Sequence, residues 1–343
     1  MVWSWRLVNV ALALALVVVL LGGWTRLNDA GLGCPDWPTC YGHFVLPPQD
    51  RVAEQIGEHF PDHQVDLHKG WLEMIHRYAA STLGLLLLLQ ALMAWRQRAV
   101  VGYPVRLSLV LLVLVIVQGV FGMWTVTLKL VPWVVTLHLL GGLTTLALLA
   151  RLRQALYRQN TRSLHRETGG VEPSVVLLLA VLFFQIALGG WTSSNYAGWA
   201  CDHWLSCQGE QPVEYDFREG LNPVLPLGPN YEGGLLPPPA RAAIQMTHRA
   251  GALLLLSALA LASWRLRQRE SVLPWLGLCW GVAGLQILLG VLNVIWQLPL
   301  VLAVAHHAGA VALLLAVLGL YERSRVQQME VIHGNLSTGQ IAS

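Results

Sequence analysis

Residues 7–25 read LVNVALALALVVVLLGGWT. A run of that length without a single charge is what a helix needs to cross roughly 30 Å of hydrocarbon, about 20 residues. Its last five residues, LGGWT at 21–25, recur at 188–192. An internal copy cannot be a secretory signal, so the first run reads as a retained membrane span. Similar uncharged runs fill 83–94, 107–128 and 175–191. Across the chain 55% of residues are hydrophobic and 12% charged, about half the charged share usual in soluble domains. Eight spans are expected, at about 6–27, 71–95, 105–128, 132–151, 174–194, 241–264, 272–297 and 299–321.

Arginine placement orients them. Arg6 precedes span one, and Arg96, Arg98 and Arg106 separate spans two and three. Arg151, Arg153, Arg158, Arg162 and Arg166 follow span four, Arg265, Arg267 and Arg269 follow span six, and Arg323 and Arg325 follow span eight. With eight spans, all fall on one side, and positively charged loops stay inside. Both termini are thus expected in the cytoplasm of a bacterial-type inner (plasma) membrane. Two long loops, about 28–70 and 195–240, face outward. The net charge of +3 reflects this inward bias and implies no nucleic-acid partner. Composition offers no account of the length of the second loop.

The repeat extends beyond LGGWT. His76-Arg77 matches His248-Arg249, and Trp95-Arg96 matches Trp264-Arg265. Gln118 with Gly122 matches Gln286 with Gly290, and His138 matches His306, each pair separated by about 170 residues. The expected fold is an all-α integral membrane protein, its eight transmembrane helices forming two pseudo-symmetric four-helix bundles of the same orientation. Residues 1–151 make the first bundle and 174–325 the second. A cytoplasmic linker, 152–173, joins them, and 326–343 form a tail.

Ionisable side chains inside a membrane helix are costly and read as functional by default. Of the 12 histidines, His43, His59, His63, His68 and His203 fall in outer loops and His165 and His333 in cytoplasmic segments, where solvation accounts for them. His76, His138, His248 and His306 lie six to eight residues into spans two, four, six and eight, roughly 9–12 Å below the outer helix ends. Two imidazoles at one depth on different helices are what an iron held between two axial ligands requires. Zinc or copper would want further ligands, and only Glu73, one turn before His76, is near. A porphyrin therefore suits the four metal-ligand candidates better. Gly22, Gly23, Gly119, Gly122, Gly141 and Gly142 could admit a flat macrocycle or serve plain helix packing. Arg77 and Arg249 could meet carboxylates of such a group or snorkel to the interface. Position 245, matching Glu73, is glutamine, so only the first half keeps the acid. His307 directly follows His306 and competes for the ligand role.

Cys34 and Cys40 share their spacing with Cys201 and Cys207, just after spans one and five. On an oxidising side each pair is expected to close a disulfide. A structural crosslink and a redox-active pair both remain open. There is no C-x-x-C and no C-x-x-C-H. Cys279, in span seven, reads as a packed core thiol.

The order GGWTRLNDAGLGCPDWPTC, then Glu-x-x-His-Arg at 73–77, a span-four histidine, and Thr-His-Arg and Val-Ala-His in the second half resembles the haem A synthase family. That resemblance covers all eight spans. It implies oxidation of a ring methyl of haem O to a formyl group for terminal oxidase assembly. It places substrate haem O between His76 and His138, with Glu73, His76 and His138 as the candidate catalytic set. It places a bound haem b between His248 and His306, with Arg77 and Arg249 as further cofactor-binding candidates. A haem O synthase and an electron donor are the implied partners. The competing reading is a non-catalytic di-haem b electron-transfer protein.

Overall fold

The computed structural model describes residues 2–46, 48, 65–161, 171–207 and 214–338. His59, His63, Arg162, His165 and Arg166 lie outside them. Eight helices are long and apolar enough to cross a membrane. They are α1 (Val2–Leu27), α2 (Leu67–Arg96), α3 (Val105–Thr127), α4 (Pro132–Asn160), α5 (Pro173–Ser194), α6 (Pro238–Leu266), α7 (Leu273–Ile295) and α8 (Leu300–Thr338). Among the described residues there is no strand, only an isolated bridge between Cys40 and His43. Proline opens α4, α5 and α6, where its missing N–H costs nothing and its fixed φ suits the first turn. Helix α4 continues through Asn160, past the expected boundary at 151. Arg151 at that boundary and Arg158 beyond it pair with Glu322 of α8 at 3.7 and 3.1 Å.

Helix α1 packs on α2 and α4, and α3 on the same two; α5 packs on α6 and α8, and α7 on the same two. All eight contribute to one buried apolar cluster, from Val8 and Leu87 through Leu146 and Leu182 to Leu259 and Leu314. The four histidines lie between this cluster and the end of the molecule that carries the cysteines, here termed the disulfide face. The opposite end is the arginine face. In lipid the association rests on close packing rather than on the hydrophobic effect, so small residues sit where helices touch.

Contacts between the halves are reciprocal. A Cβ on Gly23 of α1 would meet His307 of α8 at 2.3 Å, and one on Gly190 of α5 would meet Leu139 of α4 at 3.1 Å. Gly23 and Gly190 are repeat equivalents, as are Leu139 and His307, and such exchange is what a two-fold interface requires. Arg26 adds a bridge near the disulfide face, donating to the Ser193 carbonyl and lying 4.2 Å over the Tyr196 ring.

Helical hairpins on the disulfide face turn through paired left-handed residues. Lys129 and Leu130 have φ of 51° and 60°, and Gln297 and Leu298 have 54° and 61°. Each costs about 1–2 kcal/mol for a residue with a Cβ. The strain is offset by Leu130 N donating to Thr125 O at 2.8 Å and Leu298 N to Asn293 O at 2.7 Å. The two leucines then seat on Gly31 and Gly198.

The length of the 195–240 loop now has a physical account. After one turn of helix at Phe217–Gly220, the segment leaves the C-terminal half and crosses onto the ends of α3 and α4. Tyr231 is buried among Leu130, Val131 and Val134 with Leu225 beside it. Its N–H donates to Lys129 O at 3.0 Å and its hydroxyl to Pro226 O at 2.7 Å. Glu232 approaches Lys69 of α2 at 3.8 Å.

Close packing predicts a contrast between two glycines. A Cβ on Gly319 of α8 would lie 2.0 Å from the Trp275 ring, whereas Gly284 of α7 faces open space. Gly319→Ala is expected to cost about 1–3 kcal/mol by overpacking, lowering the thermal midpoint in detergent. Gly284→Ala should leave it unchanged, and equal midpoints for the two variants would contradict the α7–α8 packing.

Candidate functional site

Helices α2 and α4 bring His76 and His138 together, and α6 and α8 bring His248 and His306 together. Ring centres are 6.5 Å apart in both pairs, with the planes crossed at 88° and 77°. Glycines make room for each ring. Cβ atoms on Gly22, Gly122, Gly189 and Gly290 would lie 3.0, 3.5, 3.3 and 3.4 Å from the facing histidines. Of the glycines that sequence left between two roles, Gly22 and Gly122 seat these imidazoles, Gly23 seats His307, Gly141 seats Gln118, Gly142 meets Val19 and Gly119 faces open space.

His307 does not compete for the pair. Its Nε2 lies 3.1 Å from the Val19 carbonyl of α1, on the seam between the halves. Successive helical residues point about 100° apart, so only one of the two can face α6.

An iron about 2 Å from a nitrogen of each imidazole places the ring centres roughly 6–6.5 Å apart, and both pairs match that spacing. Nδ1 of His138 is buried without a hydrogen-bond partner among the described residues, while the rings of His76 and His306 face the backbone carbonyls of Val18 and Gln286. No group of three or more His, Cys, Asp and Glu gathers among those residues. The donor set is therefore two crossed imidazoles per half, which suits a planar tetrapyrrole and not a tetrahedral metal site.

Glu73 is tied down. Its side chain is only 6% exposed and forms a short ion pair with Arg77. Its second oxygen accepts the Cys34 N–H at 2.9 Å. Arg77 in turn donates to the carbonyls of Thr39 at 2.7 Å, Asp36 at 3.1 Å and Pro38 at 3.3 Å. Asp36 organises that loop, accepting from Tyr41 N at 2.7 Å, Gly42 N at 3.0 Å and the Thr39 hydroxyl. Sequence reasoning missed Asp36, although a carboxylate inside a short loop is a common turn-former.

In the other half Gln245 donates to Gly198 O at 3.3 Å and makes no ion pair. Arg249 donates to His203 O at 3.1 Å and Trp204 O at 2.8 Å. Its Nη2 is buried without a partner among the described residues. A guanidinium nitrogen so placed has capacity for an anion. Three intramembrane glutamines lie beside the histidines. Gln118 and Gln286 entered the sequence reading only as repeat markers, and Gln185 escaped it, although a polar residue in an apolar span was the available signal.

Disulfides join Cys34 to Cys40 and Cys201 to Cys207, each against the helix that carries the first histidine of its half. All four sulfurs are buried, with Met74 packed on the first pair and Met246 on the second. Cys279 is free and buried.

The chain is similar to known proteins along most of its length. Residues 5–318 match the model of the COX15-CtaA family, described as cytochrome oxidase assembly protein. A "Heme A synthase" of Shewanella oneidensis is 40% identical over 311 residues, covering 91% of this chain and 93% of that protein. Proteins of the same name from Parvibaculum lavamentivorans and Caulobacter vibrioides are 28% and 29% identical, covering 90% and 91% of this chain and 90% and 92% of their own lengths.

The thiol inventory predicts a simple labelling result. Denaturation without reductant followed by alkylation and mass analysis should modify Cys279 alone. Reduction should add Cys34, Cys40, Cys201 and Cys207 together. Labelling of Cys34 or Cys201 before reduction would contradict the pairing.

Proposed function

The chain belongs to the COX15-CtaA family of cytochrome oxidase assembly proteins, and on that footing we propose that it is a haem A synthase, a multi-pass membrane oxidoreductase that converts a ring methyl of haem O to a formyl group. The observation that carries this reading is the pair of matched histidine sites with a buried carboxylate in one of them only. A carrier or plain electron-transfer protein has no use for that asymmetry.

In this reading His76 and His138 hold substrate haem O, and His248 and His306 hold a resident haem b. The haem iron supplies the one-electron chemistry when bound. The open Nη2 of Arg249 supports a role in holding a haem carboxylate. Arg77 is committed to Glu73 and to three loop carbonyls, which favours positioning of the acid over direct binding. Glu73, one turn before His76 and fixed by Cys34 N–H, holds or moves a proton or offsets positive charge developing beside the substrate. The matching sequence blocks and reciprocal seam contacts support descent of the two halves from one four-helix unit. A haem O synthase as supplier and an electron donor are the partners this activity requires.

The arginine bias supports cytoplasmic termini and a cytoplasmic 152–173 linker. Reporter fusions after Arg98, Arg166 and Arg325 should all register the cytoplasm, and an external signal at any of them would refute that orientation.

Glu73→Gln keeps the shape but loses the charge and exchanges one of two accepting oxygens for a donating amide nitrogen. Loss of general acid–base catalysis costs roughly 10²–10⁴-fold, so haem A extracted from cells co-producing haem O should fall to a trace. Haem b in the C-terminal half should remain, and Gln245→Glu should create no second activity. Near-normal haem A from Glu73→Gln would refute the role of the acid.

A further inference from the structure

Gly22 and Gly23 of α1 are adjacent, and each is covered by an imidazole from a different half. A Cβ on Gly22 would lie 3.0 Å from the His76 ring, and one on Gly23 would lie 2.3 Å from the His307 ring. The His76 ring faces the Val18 carbonyl, and His307 Nε2 lies 3.1 Å from the Val19 carbonyl. A carbonyl can only accept, so the His307 proton that meets it is on Nε2. An imidazole that binds a metal through one nitrogen donates from the other, and a backbone carbonyl is a usual acceptor. Val18 and Val19 share one peptide bond, and His306 and His307 share another. Every junction from His306 to His76 is therefore a covalent bond or a hydrogen bond.

The repeat does not require this link. Gly189 matches Gly22 and faces His248, but Gly190, which matches Gly23, meets Leu139 and Thr136. Leu139 stands where the second half has His307, so the α4–α5 seam closes there by plain apolar contact. A leucine at 307 would serve packing alone, without the cost of taking an imidazole out of water. His307 is thus a polar side chain at the seam that neither pair of ligand candidates uses, placed where it touches the helix turn that His76 also touches.

We propose that His307 is the electron relay between the two halves, joining His306 of the resident-haem site through the Val19–Val18 peptide to His76 of the substrate site. This rests on the haem-binding reading above. One electron crosses at a time: the resident iron goes from ferrous to ferric, the substrate-site iron from ferric to ferrous, and no atom or proton moves with it. The electron donor that the activity requires then restores the resident iron. Bonded and hydrogen-bonded contacts couple a donor to an acceptor for tunnelling far more strongly than gaps between nonbonded atoms, which is what the imidazole adds over the leucine of the other seam. The role is one of connection, since His307 touches neither iron.

The test uses the full chain in detergent, with haem b in the C-terminal half and the product haem A in the N-terminal half, groups whose spectra differ through the formyl group. A laser flash generates a soluble one-electron reductant, and the absorbance of both haems is followed. Wild type should show a phase, independent of reductant and protein concentration, in which ferrous haem b is lost as ferrous haem A appears. His248→Ala, which removes haem b, should abolish that phase and so identifies it. His307→Leu, which copies the packing at 139, should remove the phase from the wild-type time range while haem content, spectra and midpoint potentials stay the same. His307→Phe keeps the ring without its nitrogens and serves if the leucine variant is not recovered. His307→Gln, whose amide can still donate to the Val19 carbonyl, should restore part of the rate. An unchanged rate in His307→Leu or His307→Phe with both haems bound would overturn the relay while leaving haem binding intact. A slowing that shifted midpoint potentials account for, or one that His307→Gln shows in full, would overturn it too. A wild-type protein that retains haem in neither half would overturn the functional reading and the relay together.

Discussion

An imidazole carried into an apolar interior must find something there for its nitrogens, because lipid offers nothing to replace water. The rest of the molecule can be understood from that constraint. Four histidines are brought together two per half, and Nδ1 of His138 has no protein partner among the described residues. Glycines on the facing helices give the rings room, and the crossed pairs come to rest 6.5 Å apart. Helix packing, the seam between the halves and the loops above them all preserve that spacing.

The two halves share a frame and differ in one buried acid. Both use a disulfide loop to receive an arginine from the histidine helix, with Arg77 donating to Thr39 O and Arg249 to Trp204 O. Only the first adds a carboxylate, and there the arginine turns to neutralise Glu73. With glutamine at 245 the second arginine keeps a nitrogen free. One substitution, acid for amide, thus redirects two side chains.

Much of this was legible in the sequence. Uncharged runs located all eight helices, since nothing else in a chain this apolar accounts for them. Repeat spacing singled out His76, His138, His248 and His306, because matched depth is a property of residue number along a helix. Rotation about the helix axis was not legible. Which of His306 and His307 faces His248 depends on that rotation, and in the structure it is His306, with His307 turned to Val19. The grip on Glu73 was also hidden, because it comes from a backbone N–H of Cys34, a group every residue there would possess. Gln185 was missed because the repeat offers no counterpart to compare it with. The second loop looked like surplus proline and glycine, since its anchor, Tyr231, lands on helices encoded about 100 residues earlier, a contact that no local pattern carries.

That crossing imposes an order on synthesis. The N-terminal half leaves the ribosome first and has all four of its helices available, yet the segment that packs against the ends of its α3 and α4 follows only after α5. Until Tyr231 arrives, those helix ends and the left-handed turn at Lys129 and Leu130 stand without the cover they have in the finished protein. The first half is therefore completed by the second. A chain cut in the linker and produced as two pieces would have to rebuild across the break a contact that the intact chain makes within itself, at the lower effective concentration of two separate molecules.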